Sequence, residues 1–72
     1  MVNINKLKGK IVERGMTVEK LAEKIGVDRS TIYRKINTAG ESFTIREAHM
    51  ICAALNLSGQ EATAIFFSQY VA

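Results

Sequence analysis

Arg29, Ser30, Tyr33 and Arg34 fall within one short stretch, RSTIYR, that gathers guanidinium groups and hydroxyls. A guanidinium presents N–H donors in a planar fork, and a hydroxyl both donates and accepts. Ile32 and Ile36 recur in the same stretch at helical spacing. A helix that buries these two isoleucines therefore turns Arg29, Ser30, Tyr33, Arg34 and Lys35 elsewhere. An exposed helical face this rich in fixed donors and hydroxyls suits the major groove of DNA.

The preceding residues must hold that helix in place. Val18, Leu21, Ala22 and Ile25 follow the i, i+3, i+4, i+7 pattern of an amphipathic helix, with Thr17 as its N-cap. Gly26 then breaks the pattern and can take positive φ, so the chain reverses within a few residues. Val27 is apolar in the turn, and Asp28 is placed to cap the next helix. Thr17–Asn37 thus reads as two short helices joined by a tight turn, with Ala22 small enough for a close crossing.

Upstream, a helix is expected from about Asn5 to Arg14, with Ile4, Leu7, Ile11 and Val12 on one stripe. Gly9 lies inside it, where a close-packed neighbour is one reason for a glycine; Gly15 fits the left-handed position that ends many helices. Downstream, TAGESF reads as a loop. Thr44-Ile45-Arg46-Glu47 matches a capping box, with Phe43 in the staple position before it. The helix that follows is expected to bury Ile45, Ala48, Cys52 and Leu55 and to end near Asn56. Ser58-Gly59-Gln60-Glu61 offers a second capping box for a last helix through Ala62, Ile65, Phe66 and Tyr70. Phe66 and Phe67 point about 100° apart on a helix. One of them, with Ile65 or Val71, is then free for a contact between subunits; the alternative is that both wrap a small core.

Length and charge bound the function. Seventy-two residues, 47% hydrophobic and 24% charged, make one globular domain over residues 1–72. Net charge is +3, divided as +5 over residues 1–36 and −2 over residues 37–72. The basic half contains the helix pair, as a polyanion-binding surface requires, although solvated lysine-rich faces are also ordinary. No apolar run is long enough to span a membrane, and the charged N-terminal residues are unlike a signal peptide. A soluble, cytoplasmic protein is expected. Cys52 is the single cysteine and lies on an apolar stripe, so core packing is favoured over redox chemistry; no metal site is expected. His49 has no nucleophile or metal-spaced partner beside it. With no catalytic arrangement or phosphate-cradling glycine loop, the chain reads as a non-enzyme without a cofactor.

The residues LAEKIGVDRSTIYRKI closely resemble the helix-turn-helix of the lambda-repressor-like (Cro/C1, XRE) family. The matching features are Leu21-Ala22, Ile25-Gly26-Val27, and Ser30-Thr31-Ile32 followed by Arg34. The resemblance spans nearly the whole chain and implies an all-α, compact five-helix domain with the helix-turn-helix at helices 2 and 3. The segments FTIREAHMICAALNLS and EATAIFFSQYVA resemble small regulators and repressor N-terminal domains of phages of Gram-positive bacteria. By that resemblance the third helix enters the major groove of double-stranded DNA, with Arg29, Ser30, Tyr33 and Arg34 as base contacts. Phosphate contacts are implied at Thr17, Lys20, Lys35 and Asn37. Ile65, Phe66, Phe67 and Val71 are the candidate dimer contacts.

Two departures from the family pattern stand out. Many members hold a phosphate with a glutamine at the start of the second helix, where this chain has Val18; Lys20 or the Thr17 hydroxyl is then left to substitute. Lys35 occupies a position that is often apolar, which implies a third helix slightly rotated or longer. The expected function is a sequence-specific transcriptional regulator, repressor-like or Cro-like. The alternative is an interaction module, such as an antitoxin or adaptor that keeps the fold without reading DNA. RNA binding ranks third, because no aromatic stacking platform is evident.

Overall fold

The computed structural model describes residues 2–38 and 43–67, and in these the chain forms five helices and no strand. They are α1 (Ile4–Glu13), α2 (Val18–Ile25), α3 (Arg29–Asn37), α4 (Ile45–Ala54) and α5 (Gly59–Phe66). Each begins at a side chain that accepts from an otherwise unpaired amide. Asn3, Thr17 and Asp28 accept from the amides of Lys6, Lys20 and Ser30 at 3.1, 3.1 and 3.2 Å. Thr44 and Ser58 form complete capping boxes with Glu47 and Glu61.

Three helix ends share one geometry. Gly15, Gly26 and Asn56 take φ of 70°, 73° and 52°. In each case the next residue, Met16, Val27 or Leu57, donates its amide back to Ile11, Ala22 or Cys52. This left-handed closure satisfies the last carbonyls and turns a partly buried apolar residue back onto the core. Asn56 accordingly lies one position beyond the cap itself, which is Leu55.

The core is Leu7, Ile11, Leu21, Ala22, Ile25, Ile32, Ile36, Ile51, Leu55, Ile65 and Phe66. α2 packs against both α3 and α4, and α5 closes against α1. Two expected core residues are instead exposed. Val12 is 74% exposed, because the inward strip of α1 is only as wide as Leu7 and Ile11 and the chain's next residue turns about 100° away from it. Ile45 is 84% exposed. α4 buries Ile51 and Leu55 and brings Glu47 inward, so its inward face is rotated by roughly 80° from the stripe of Ile45, Ala48, Cys52 and Leu55. Ala48 and Cys52 end up half-buried beside that face. Gly9 also differs from expectation: a Cβ there meets nothing within 4 Å, so no neighbour requires the glycine.

α5 is fastened by ions as well as by apolar contact. Lys10 Nζ lies 2.9 Å from Glu13 and also pairs with Glu61. Arg14 reaches Glu13 at 2.6 Å and Glu61 at 3.7 Å, and its Nε donates to the Leu55 carbonyl at 2.9 Å. The Asn3 amide donates to the Ile65 carbonyl at 2.7 Å. The bond from Lys10, then those from Ser58, hold the Glu61 carboxyl down at about 2, against an ordinary 4.5. A carboxyl depressed by folding stabilises fully above its unfolded value and loses that contribution as pH falls toward its folded value. Stability is therefore expected to decline on acidification from about pH 5 toward pH 2. Glu61→Gln keeps the capping box, and acid titrations followed by circular dichroism should show a shallower decline for it than for the parent.

Candidate nucleic-acid interface

α3 has two sides of opposite character. Ile32 and Ile36 face the core together with Lys35, while Arg29, Ser30, Tyr33, Arg34 and Asn37 are exposed. At 100° per residue the exposed set covers an arc of about 140° that begins at Arg29, beside Ile36, and ends at Arg34, opposite the isoleucines. Both guanidinium groups on this arc are without an ion-pair partner among the described residues. Asp28 fixes where the helix begins, and the Gly26 turn sets its angle to α2. The four expected base-contacting residues are thus brought together on one face.

Thr17 is exposed beside them, its hydroxyl engaged with the Lys20 amide. Lys20 is exposed and only loosely paired, at 3.6 Å from Glu23. Val18 is half-buried and packs against the core, in keeping with its apolar type.

Lys35 is the exception among the expected phosphate contacts. It is only 8% exposed, and its Nζ donates to both oxygens of Glu47 at 2.5 and 2.7 Å. The same ammonium lies 5.9 Å from the centre of the Phe43 ring, which meets Phe66 edge to face at 6.4 Å. Its charge is turned into the protein and neutralised there, so it is removed from the outward set. Glu47 also accepts from the Thr44 amide at 2.8 Å. Burial raises its pKa, but the bonds from Lys35 and Thr44 outweigh burial and hold the carboxyl below its ordinary value.

Glu19 was not singled out by sequence. The Tyr33 hydroxyl donates to its carboxylate at 2.9 Å, linking α3 to the first turn of α2. Tyr33 remains 41% exposed. The backbone amide of Glu19 itself, then the Tyr33 hydroxyl, hold Glu19 below its ordinary pKa, with the Arg29 charge nearby; Tyr33 is raised in turn, chiefly by Glu19. The two residues lie on different helices with the Gly26 turn between them, so helical periodicity cannot relate them and only the fold shows the contact.

The candidate dimer residues divide. Ile65 and Phe66 are buried in the core of the single chain. Phe67 is 48% exposed beside Ile45, and a groove of about 280 Å³ that includes Ala62 and Cys52 lies between α4 and α5. Val71 and Tyr70 lie outside the described residues. Burial raises the Cys52 thiol, which disfavours the reactive thiolate. Among the described residues no cluster of His, Cys, Asp and Glu could hold a metal, and no helix is long and apolar enough to cross a membrane.

A family model for the Cro/C1-type helix-turn-helix DNA-binding domain matches residues 6–62. No curated protein and no solved structure matches the chain.

The Lys35–Glu47 pair makes a measurable difference between single and double substitutions. Lys35→Met alone leaves a largely buried carboxylate without its cation and is expected to cost about 3 kcal/mol in urea denaturation. Lys35→Met with Glu47→Gln removes the charge on both sides and preserves the capping box. The double variant should recover most of the lost stability; additive losses would show that the pair is not coupled.

Proposed function

Because the chain belongs to the Cro/C1-type helix-turn-helix DNA-binding family, we propose that it is a sequence-specific transcriptional regulator that reads the major groove with α3. The observation that carries this is the exposed α3 arc, which runs from Arg29 beside Ile36 to Arg34 directly opposite the buried isoleucines, both guanidinium groups lacking an ion-pair partner among the described residues. Arg29 and Arg34 are suited to bidentate bonding with guanine O6 and N7, and Ser30 and Tyr33 lie between them on the same surface. Thr17, Lys20 and Asn37 flank the arc as phosphate contacts. At the start of α2 the exposed Thr17 cap and adjacent amides take the place of a side-chain clamp at Val18. Lys35 has no direct role toward DNA here, since Glu47 holds its ammonium. A repressor-like or Cro-like role in the cytoplasm is part of the same proposal, and the family match over residues 6–62 supports it.

Dimeric use on a two-fold operator follows the same reading, with recognition helices about 34 Å apart. Phe67 and Ile45 are the exposed apolar residues that suit such a contact; Ile65 and Phe66 support it from the core. The same exposed pair also favours the second reading, an interaction module that binds another protein. Binding measured across a salt series separates the two, because phosphate contacts weaken steeply with salt and an apolar interface does not.

Arg29→Ala or Arg34→Ala is expected to weaken binding to a selected operator by about tenfold to a hundredfold, with a much smaller effect on random DNA. Equal losses on both DNAs in a gel-shift titration would remove the base-reading role. For the dimer, Phe67→Lys should lower the sedimentation coefficient toward that of a monomer while helical circular dichroism is retained. A parent protein that is already monomeric at high micromolar concentration, with or without operator, would exclude this contact.

A further inference from the structure

We propose that Glu19 and Tyr33 form an acceptor-only pair that makes the α3 face select a base with a major-groove amine, cytosine or adenine, next to the guanine read by arginine. This rests on the DNA-reading role proposed above and adds a specificity rule to it.

The rule follows from one hydrogen bond. A tyrosine hydroxyl has a single proton and two lone pairs, and an ionised carboxylate has lone pairs only. The Tyr33 proton is committed to Glu19 at 2.9 Å. What remains exposed on both groups is therefore acceptor capacity. Glu19 stays ionised, since its own amide, Tyr33 and Arg29 all favour the charged form.

On DNA, phosphate oxygens are acceptors and cannot satisfy such a pair. In the major groove the donors are the N4 amine of cytosine and the N6 amine of adenine; guanine and thymine present acceptors at the matching positions. Tyr33 is thus turned away from the backbone and toward an amine-bearing base edge. Tyr33 lies about 40° around the helix from Arg29 and about 100° from Arg34. Ser30 and Asn37, each able to donate or accept, lie between Tyr33 and Arg34, so the fixed polarities on the arc are a donor at Arg29 beside an acceptor at Tyr33, which matches a guanine beside a cytosine or adenine. Without Glu19 the hydroxyl would regain its donor and lose this discrimination. Tyr33 is the specificity-determining residue, and Glu19 is the positioning residue that fixes the direction of its proton.

The test is selection of bound duplexes from a random DNA pool, run with the parent protein, Tyr33→Phe and Glu19→Ala. Tyr33→Phe, which lacks the oxygen, identifies the base pair that residue reads. The parent should enrich cytosine or adenine there on the strand facing α3. Glu19→Ala, which removes the acceptor of the Tyr33 proton, should reduce that preference by about tenfold, the scale of one base contact, while preferences at the arginine-read positions persist. Its affinity for random DNA should rise, because a negative charge leaves the DNA face. Circular dichroism of both variants confirms that the helices are intact. A parent motif that Glu19→Ala leaves unchanged at every position overturns this proposal alone, as does a thymine or guanine preference at the Tyr33 position. A parent that enriches no motif at all overturns the DNA-reading role together with it.

Discussion

The Lys35–Glu47 pair is the contact on which the placement of the outward face depends. It joins the buried side of α3 to the first turn of α4, and Glu47 simultaneously closes the α4 capping box. Lys35 is held between a carboxylate and the Phe43 ring, which in turn meets Phe66 of α5. A largely buried charge is tolerable only with its bonds satisfied, so the geometry of α3 against α4 is narrowly set. An apolar side chain at this position would slide at lower cost. The inward rotation of α4 that leaves Ile45 exposed is the same fact seen from the other helix: Glu47 must face α3, and Ile45, two residues earlier, then faces outward.

Charge is consequently sorted by position in a way that net charge does not reveal. Lys10, Arg14 and Lys35 are all basic residues of the first half, yet each is paired inside the domain. Lys10 and Arg14 serve to hold α5 on α1, and Lys35 holds α3 on α4. Arg29 and Arg34 carry no such duty among the described residues and stand at the two ends of the exposed arc of α3. The +5 balance of residues 1–36 thus overstates the cationic surface, while the two arginines lose nothing by facing outward.

What was legible in the sequence was local. Thr17, Asp28, Thr44 and Ser58 cap their helices because a capping bond spans only two or three residues, and Gly15 and Gly26 take the left-handed turns expected of them. The sides of α3 were legible too, since Ile32 and Ile36 leave little choice of inward face. The inward face of α4 was not, because alanines and a cysteine spread a weak apolar signal around the helix and a half-buried glutamate decides its rotation. Lys35–Glu47 and Tyr33–Glu19 span 12 and 14 residues across separate helices, where periodicity carries no information. The unusual lysine was visible as a departure from an apolar position; its partner was not.

The start of α2 shows how these constraints combine. Val18 packs inward, and the next residue, Glu19, carries a negative charge on the surface beside α3. In isolation that charge opposes any polyanion. Its bond to Tyr33 and its closeness to Arg29 change its effect, because the carboxylate now orients one side chain of the arc and offsets part of the charge of another. In the DNA-reading role proposed above, with no amide side chain at Val18, docking at this end would rely on the Thr17 cap and the backbone, which position without reading sequence. On that proposal discrimination falls to α3 itself, whose angle the Gly26 turn and the Lys35–Glu47 pair jointly fix.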